Sequence, residues 1–182
     1  GYAGTMRPIM LLRFQSTMPA TLPTEPAAPP QPLHWLGLGL LVYAACMAGI
    51  LLRPTEFLSG FWPANALMLG LLLRYPGLAK QGAAWVAGAL AFVLADLLTG
   101  APWEKTLWLN TANMLAVATG WLLLRLLDEP GRCMRRASSA MYLLLAAIAA
   151  SAVGALVGCT AGPAYFGMPW PELLARWFGI EL

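Results

Sequence analysis

Apolar runs that approach or exceed the length of a bilayer crossing recur along this chain at short intervals, near residues 33–52, 59–73, 82–99, 106–127 and 138–160. A hydrocarbon core about 30 Å thick takes roughly 20 helical residues to cross. Inside it the backbone must satisfy its own hydrogen bonds, which favours helices. The expected fold class is therefore all-α: a polytopic integral membrane helix bundle with five full spans plus the start of a sixth. The composition agrees, with 59% hydrophobic and 10% charged residues, where an average soluble domain has about a quarter charged. The second run is short and is expected to extend slightly or to sit where the bilayer is thin. From about Pro171 a sixth apolar segment (PELLARWFGIEL) reaches Leu182. It is too brief to cross, and the expectation is a span interrupted rather than one lying in the interface.

Two regions follow. Residues 1–32 read as a flexible lead-in, proline-rich over 18–32 (MPATLPTEPAAPPQP), and residues 33–182 as the membrane domain. The lead-in is extended or disordered by composition, and the patch between Arg7 and Arg13 is too short for a signal peptide. Arg7, Arg13, Arg74, Lys80, Arg125, Arg132, Arg135 and Arg136 fall on one side of the spans; Arg53, Lys105 and Arg176 fall on the other. Positive residues gather on the cytoplasmic side, so the N-terminus is expected inside. Trp62, Trp103 and Trp170 would then form an outer aromatic belt. The net charge of +3 is small and scattered, which argues against a nucleic-acid partner. Cys46, Cys133 and Cys159 show no ligand spacing, and His34 reads as an interfacial residue.

The second span opens Phe61-Trp62-Pro63-Ala64-Asn65. Pro63 suits a first helical turn, where its missing N–H would have had no partner. Asn65 lies deep enough that an unpaired amide is costly. On the expected orientation Asp96 sits about four residues from the outer end of the third span, and Asn110 and Asn113 lie roughly 7 to 12 Å into the fourth at 1.5 Å per residue. Asn65, Asp96, Asn110 and Asn113 are thus expected to share one layer, with Asn110 and Asn113 on one helix face. Asp96 reads as the one carboxylate clearly within a span, and such acids usually face the protein interior. The layer admits three readings: a ligand or proton-sensing site, structural glue between helices, or a carboxylate at the water interface. Ala150, Gly154, Gly158 and Gly162 make a small-residue ladder on the fifth span, and Ala112, Ala116 and Gly120 another on the fourth. Both suit close helix packing, within the bundle or in a homodimer.

No phosphate-binding loop, zinc-protease helix, nucleophile elbow or dinucleotide fingerprint is present. No catalytic residue, metal site or cofactor is expected, and Glu104 reads as a loop charge beside Lys105. The lipid bilayer is the expected partner, together with other membrane subunits.

The runs FWPANALMLGLLLR (61–74), ADLLTG (95–100) and LNTANMLAVATGWLLLR (109–125) resemble the MASE1 membrane-associated sensor domain of bacteria. The likeness continues weakly through the fifth span to ARWFGIEL. It implies a sensory input module of about eight spans in the inner membrane. Such modules commonly precede GGDEF cyclase, EAL phosphodiesterase or histidine kinase domains; the ligand is not implied. A small transporter component and a structural anchor subunit are the alternative readings.

Overall fold

A computed structural model describes residues 32–52, 61–127 and 137–182; of residues 32, 137, 138 and 161–163 the helical backbone alone is described. Arg7, Arg13, Arg53, Cys133 and the 128–136 basic loop lie outside these residues, as does the lead-in. Among the described residues there are seven helices and no strand: α1 (Pro32–Leu51), α2 (Pro63–Arg74), α3 (Pro76–Ala79), α4 (Gly82–Leu98), α5 (Trp103–Leu127), α6 (Ala137–Phe166) and α7 (Trp170–Glu181). Three of them carry stretches long and apolar enough to cross a membrane: Leu33–Leu51, Trp103–Leu127 and Ser139–Thr160. Helices α2 and α4 are apolar but shorter, at 12 and 17 residues.

Prolines and glycines set the boundaries. Pro63 occupies the first turn of α2, and Pro76 ends that helix by holding Tyr75 out of the helical region at φ −123° and ψ 79°. The same proline starts the single turn of α3, which Trp85 fastens to α4 through Nε1–H donating to the Ala79 carbonyl at 3.0 Å. Helix α5 begins earlier than the expected residue 106. The Thr106 N–H donates to the Pro102 carbonyl at 2.9 Å, closing the first turn. Glu104 is therefore a first-turn acid, favoured at the positive end of the helix dipole, and not a loop charge.

Helix α4 ends in a Schellman motif. Ala101 N–H donates to the Asp96 carbonyl at 3.0 Å and Gly100 N–H to Leu97 at 3.1 Å. Gly100 has φ +87°, a conformation that costs an L-residue roughly 1–2 kcal/mol. Gly100→Ala is therefore expected to destabilise the fold by that amount, read as a lowered unfolding midpoint in detergent. An unchanged midpoint would mean that the turn relaxes freely.

Small residues fill the interior and large ones face outward. Ala64, Ala84, Ala95, Ala112, Ala116, Ala146 and Ala155 are buried, while Leu36, Leu40, Leu90, Leu122, Leu126 and Leu144 are more than half exposed. This arrangement suits helices that associate by close backbone approach in lipid. The core divides in two. One cluster joins α1, α2, α3 and α4 around Val42, Met68, Leu72 and Phe92, and reaches Val117 of α5. The other joins α5, α6 and α7 around Ala112, Ala155, Cys159, Leu173 and Trp177. Helix α5 lies between them, and α2 and α4 meet it along a seam.

Gly120, Gly154 and Gly158 of the glycine ladders pack within this bundle, and Gly162 lies among the residues whose backbone alone is described. A Cβ on Gly120 would lie 2.9 Å from Leu69 Cδ2 and 3.5 Å from Ala150, and one on Gly154 would lie 3.1 Å from the Ala116 Cβ. These positions bring α5 against α2 and α6. A Cβ on Gly158 would lie 2.4 Å from the Trp177 ring, so this glycine seats α7. Trp62 is similarly placed, with its ring where a Gly49 Cβ would reach it at 2.7 Å. It belongs to the α1–α2 contact; Trp103 and Trp170 are exposed. His34 is exposed, and Cys46 and Cys159 are buried free thiols.

Candidate functional site

The seam between the two clusters is where the polar side chains meet. Asn65 on α2, Asp96 on α4, and Asn110 and Asn113 on α5 are 4–8% exposed. Asn65 Nδ2 donates to Asn113 Oδ1 at 3.2 Å, and Asn110 Nδ2 donates to Asp96 Oδ2 at 3.1 Å. Asn113 Nδ2 completes the line with a longer contact of 3.4 Å to Asn110 Oδ1. Pro63 places Asn65 in the first turn of α2, the α4 cap motif fixes the Asp96 backbone, and the three-residue spacing on α5 aligns the remaining pair.

A fifth member comes from α7. Glu181, half-buried, accepts from Asn65 Nδ2 at 2.6 Å, short enough for a charge-assisted bond. The sequence reading missed it because the sixth segment was taken only as an interrupted span. The available signal was its register. Glu181 lies eleven residues beyond Trp170, roughly 16 Å along a helix at 1.5 Å per residue.

The direction of the network follows from one backbone group. Asn110 Nδ2 also donates to the Thr106 carbonyl at 2.8 Å, and a carbonyl can only accept. This fixes the Asn110 amide, leaving its oxygen toward Asn113. Asn113 must then donate there and accept from Asn65, whose Nδ2 in turn faces Glu181. Both carboxylates therefore receive an N–H, one at each end of a three-asparagine relay. Two buried oxygens near the ends, Asn65 Oδ1 and Thr106 Oγ1, have no hydrogen-bond partner.

The same meeting sets the offset between α2 and α5. Asn65 is two residues into α2 but is bonded to Asn113, ten residues into α5. At 1.5 Å per residue the start of α2 is offset by roughly 12 Å along α5. Trp62 packs over Gly49 at that sunken end, and its Nε1 is buried without a partner. Lys105 lies over the Phe166 ring at 4.4 Å, joining the start of α5 to the end of α6. Among the described residues no three His, Cys, Asp or Glu side chains gather as a metal site. The arrangement holds and orients charge between helices; it presents no nucleophile beside a base.

The chain is similar to the "Probable diguanylate cyclase DgcF" of Escherichia coli O157:H7, with 31% identity over 137 residues. The match covers 73% of this chain and 28% of that protein. The chain therefore spans under a third of the relative it matches, a distant and partial homologue consistent with a signalling protein. No family profile matches the chain, and no solved structure matches it.

Proposed function

We propose that the chain is the membrane-embedded input module of a bacterial signalling protein, MASE1-like, with its N-terminus in the cytoplasm. In this reading the module passes its signal to a cytoplasmic output domain, a diguanylate cyclase first and a phosphodiesterase or histidine kinase otherwise. Helices α1, α2, α4, α5 and α6 make five crossings of the inner membrane, and α7 begins a sixth. The short α2 crosses with a sunken outer end, and the polar relay lies in the outer half.

The observation that carries the reading is the placement of the relay. Three side-chain hydrogen bonds, from Asn65 to Asn113, Asn65 to Glu181 and Asn110 to Asp96, join helices across the seam between two apolar clusters. Interhelical bonds of this kind contribute about 0.6 kcal/mol each on average, a scale at which a signal of modest affinity can shift one packing to another. Similarity to a diguanylate cyclase supports the choice of output.

The test is output in a cell. Asp96→Asn and Asn113→Ala, each placed in this chain joined to a diguanylate cyclase domain, are expected to lock cyclic di-GMP production high or low by at least about fivefold, the low end of ordinary coupling energies. Wild-type production in both variants, with normal membrane insertion, would remove the relay from the sensing role.

A further inference from the structure

At the other end of α5 from the relay, two cations stand around a row of rings. Arg125, in the last turn of α5, holds its guanidinium 4.7 Å from the centroid of the Trp121 ring. Trp121 meets Trp85, in the first turn of α4, edge-on with centroids 5.6 Å apart. Trp85 donates Nε1–H to the Ala79 carbonyl at 3.0 Å, the peptide that leads into Lys80. Lys80 and Arg125 thus lie at one end of the bundle, joined through two ring contacts and one hydrogen bond. Both are exposed, and among the described residues neither side chain has an ion pair or a hydrogen bond. A guanidinium lying over an indole rests its planar face on the ring and keeps its N–H edge open to an oxyanion.

We propose that this corner of α3, α4 and α5 binds the headgroup of an anionic phospholipid. Arg125 offers parallel N–H donors that match two phosphate oxygens, and Lys80 adds a point charge. Indoles such as Trp85 and Trp121 favour the level of the headgroups. The surroundings select a lipid as the source of the phosphate. Val86 and Leu90 of α4 and Leu122 and Leu126 of α5 flank the cations, each more than half exposed, and offer an apolar surface to acyl chains. A zwitterionic headgroup would bring its own cation beside Lys80 and Arg125, whereas an anionic one leaves a negative charge for them to balance. A bound lipid would clamp α3 and the start of α4 against the end of α5. The site lies apart from the relay and does not depend on its role in sensing.

The test uses the purified 182-residue chain in mixed micelles of dodecyl maltoside and phosphatidylcholine. Phosphatidylglycerol replaces phosphatidylcholine stepwise at fixed total lipid and salt, and the thermal unfolding midpoint is followed. The midpoint should rise and level off as the phosphatidylglycerol fraction grows. Arg125→Gln and Lys80→Gln change exposed side chains, and each should raise the half-saturating fraction about fivefold, the effect of one cation at an anionic surface. Arg74→Gln removes the same charge from the end of α2, where the guanidinium lies over Tyr75. With solvent screening it should move the half-saturating fraction less than about twofold. A midpoint indifferent to phosphatidylglycerol would overturn the proposal. Equal shifts in all three variants would do the same, because they would show a diffuse positive surface in place of a site. Glycerol 1-phosphate, the soluble headgroup, should leave the midpoint in phosphatidylcholine micelles unchanged. A saturable rise there that Arg125→Gln weakens would assign the corner to free phosphate esters and overturn the lipid.

Discussion

Replacing Gly158 with alanine is expected to lift α7 from its seat on α6. The added Cβ would lie 2.4 Å from Trp177 Cη2 and within 2.6 Å of two more ring carbons. That ring is 5% exposed and meets Phe166 edge-on with centroids 6.5 Å apart. A rigid, enclosed indole cannot yield by turning one bond, so the helices must part. Overpacking of this kind costs about 1–3 kcal/mol, and here the upper end is expected, a midpoint lowered by about 6–12 °C for a chain of this size. Gly88 provides the contrast. Its Cβ would come as close, 2.5 Å, but to the terminal methyl of Met68. A thioether end swings aside readily, so Gly88→Ala should cost less than about 1 kcal/mol. Pairing Gly158→Ala with Trp177→Leu should recover at least half of the loss. Additive effects in that double-mutant cycle would show that glycine and tryptophan do not meet.

The second large effect is expected at Asn113. It is the one residue of the relay that accepts from Asn65 and donates to Asn110. Asn113→Leu removes both contacts and leaves the Asn65 amide and Asn110 Oδ1 facing an alkyl group. Two interhelical or intrahelical bonds at roughly 0.6–1.7 kcal/mol each give about 1–3 kcal/mol, with the unsatisfied partners placing the result near the top. Reversible unfolding in mixed micelles measures it, and a cycle with Asn65→Ala isolates the bond across the seam. Thr111→Ala is the comparison: its hydroxyl donates to Leu107 on an exposed face, and its loss should stay within about 0.5 kcal/mol. If Asn113→Leu is as stable as the starting protein, the seam is held by apolar contact alone.

Much of the helix framework was legible because its causes are local. Pro63 marks the start of α2, and the apolar run at 106–127 falls within α5. Element ends were less legible where a neighbour decides them. The α5 first turn closes on Pro102, and Glu104 joins it. The one-turn α3 depends on Pro76 and on Trp85 reaching Ala79. The described residues hold three helices long enough to cross by length and composition, fewer than the apolar runs suggest, because α2 and α4 have only 12 and 17 residues.

For the site, the sequence by itself determined which helices could contribute. Depth along a helix is additive at 1.5 Å per residue, so counting from each end brought Asn65, Asp96, Asn110 and Asn113 toward one level. It also carried two small-residue ladders whose spacing invites close approach. Rotation about the helix axes, and the choice of neighbours, belong to the tertiary structure alone. Those are set by which side chains interlock: Trp177 over Gly158, Trp62 over Gly49, Leu69 against Gly120. Only that packing could turn Glu181 toward Asn65 and leave one amide oxygen without a donor. A sequence specifies how deep a polar group lies, and the fit of neighbouring helices decides what it touches.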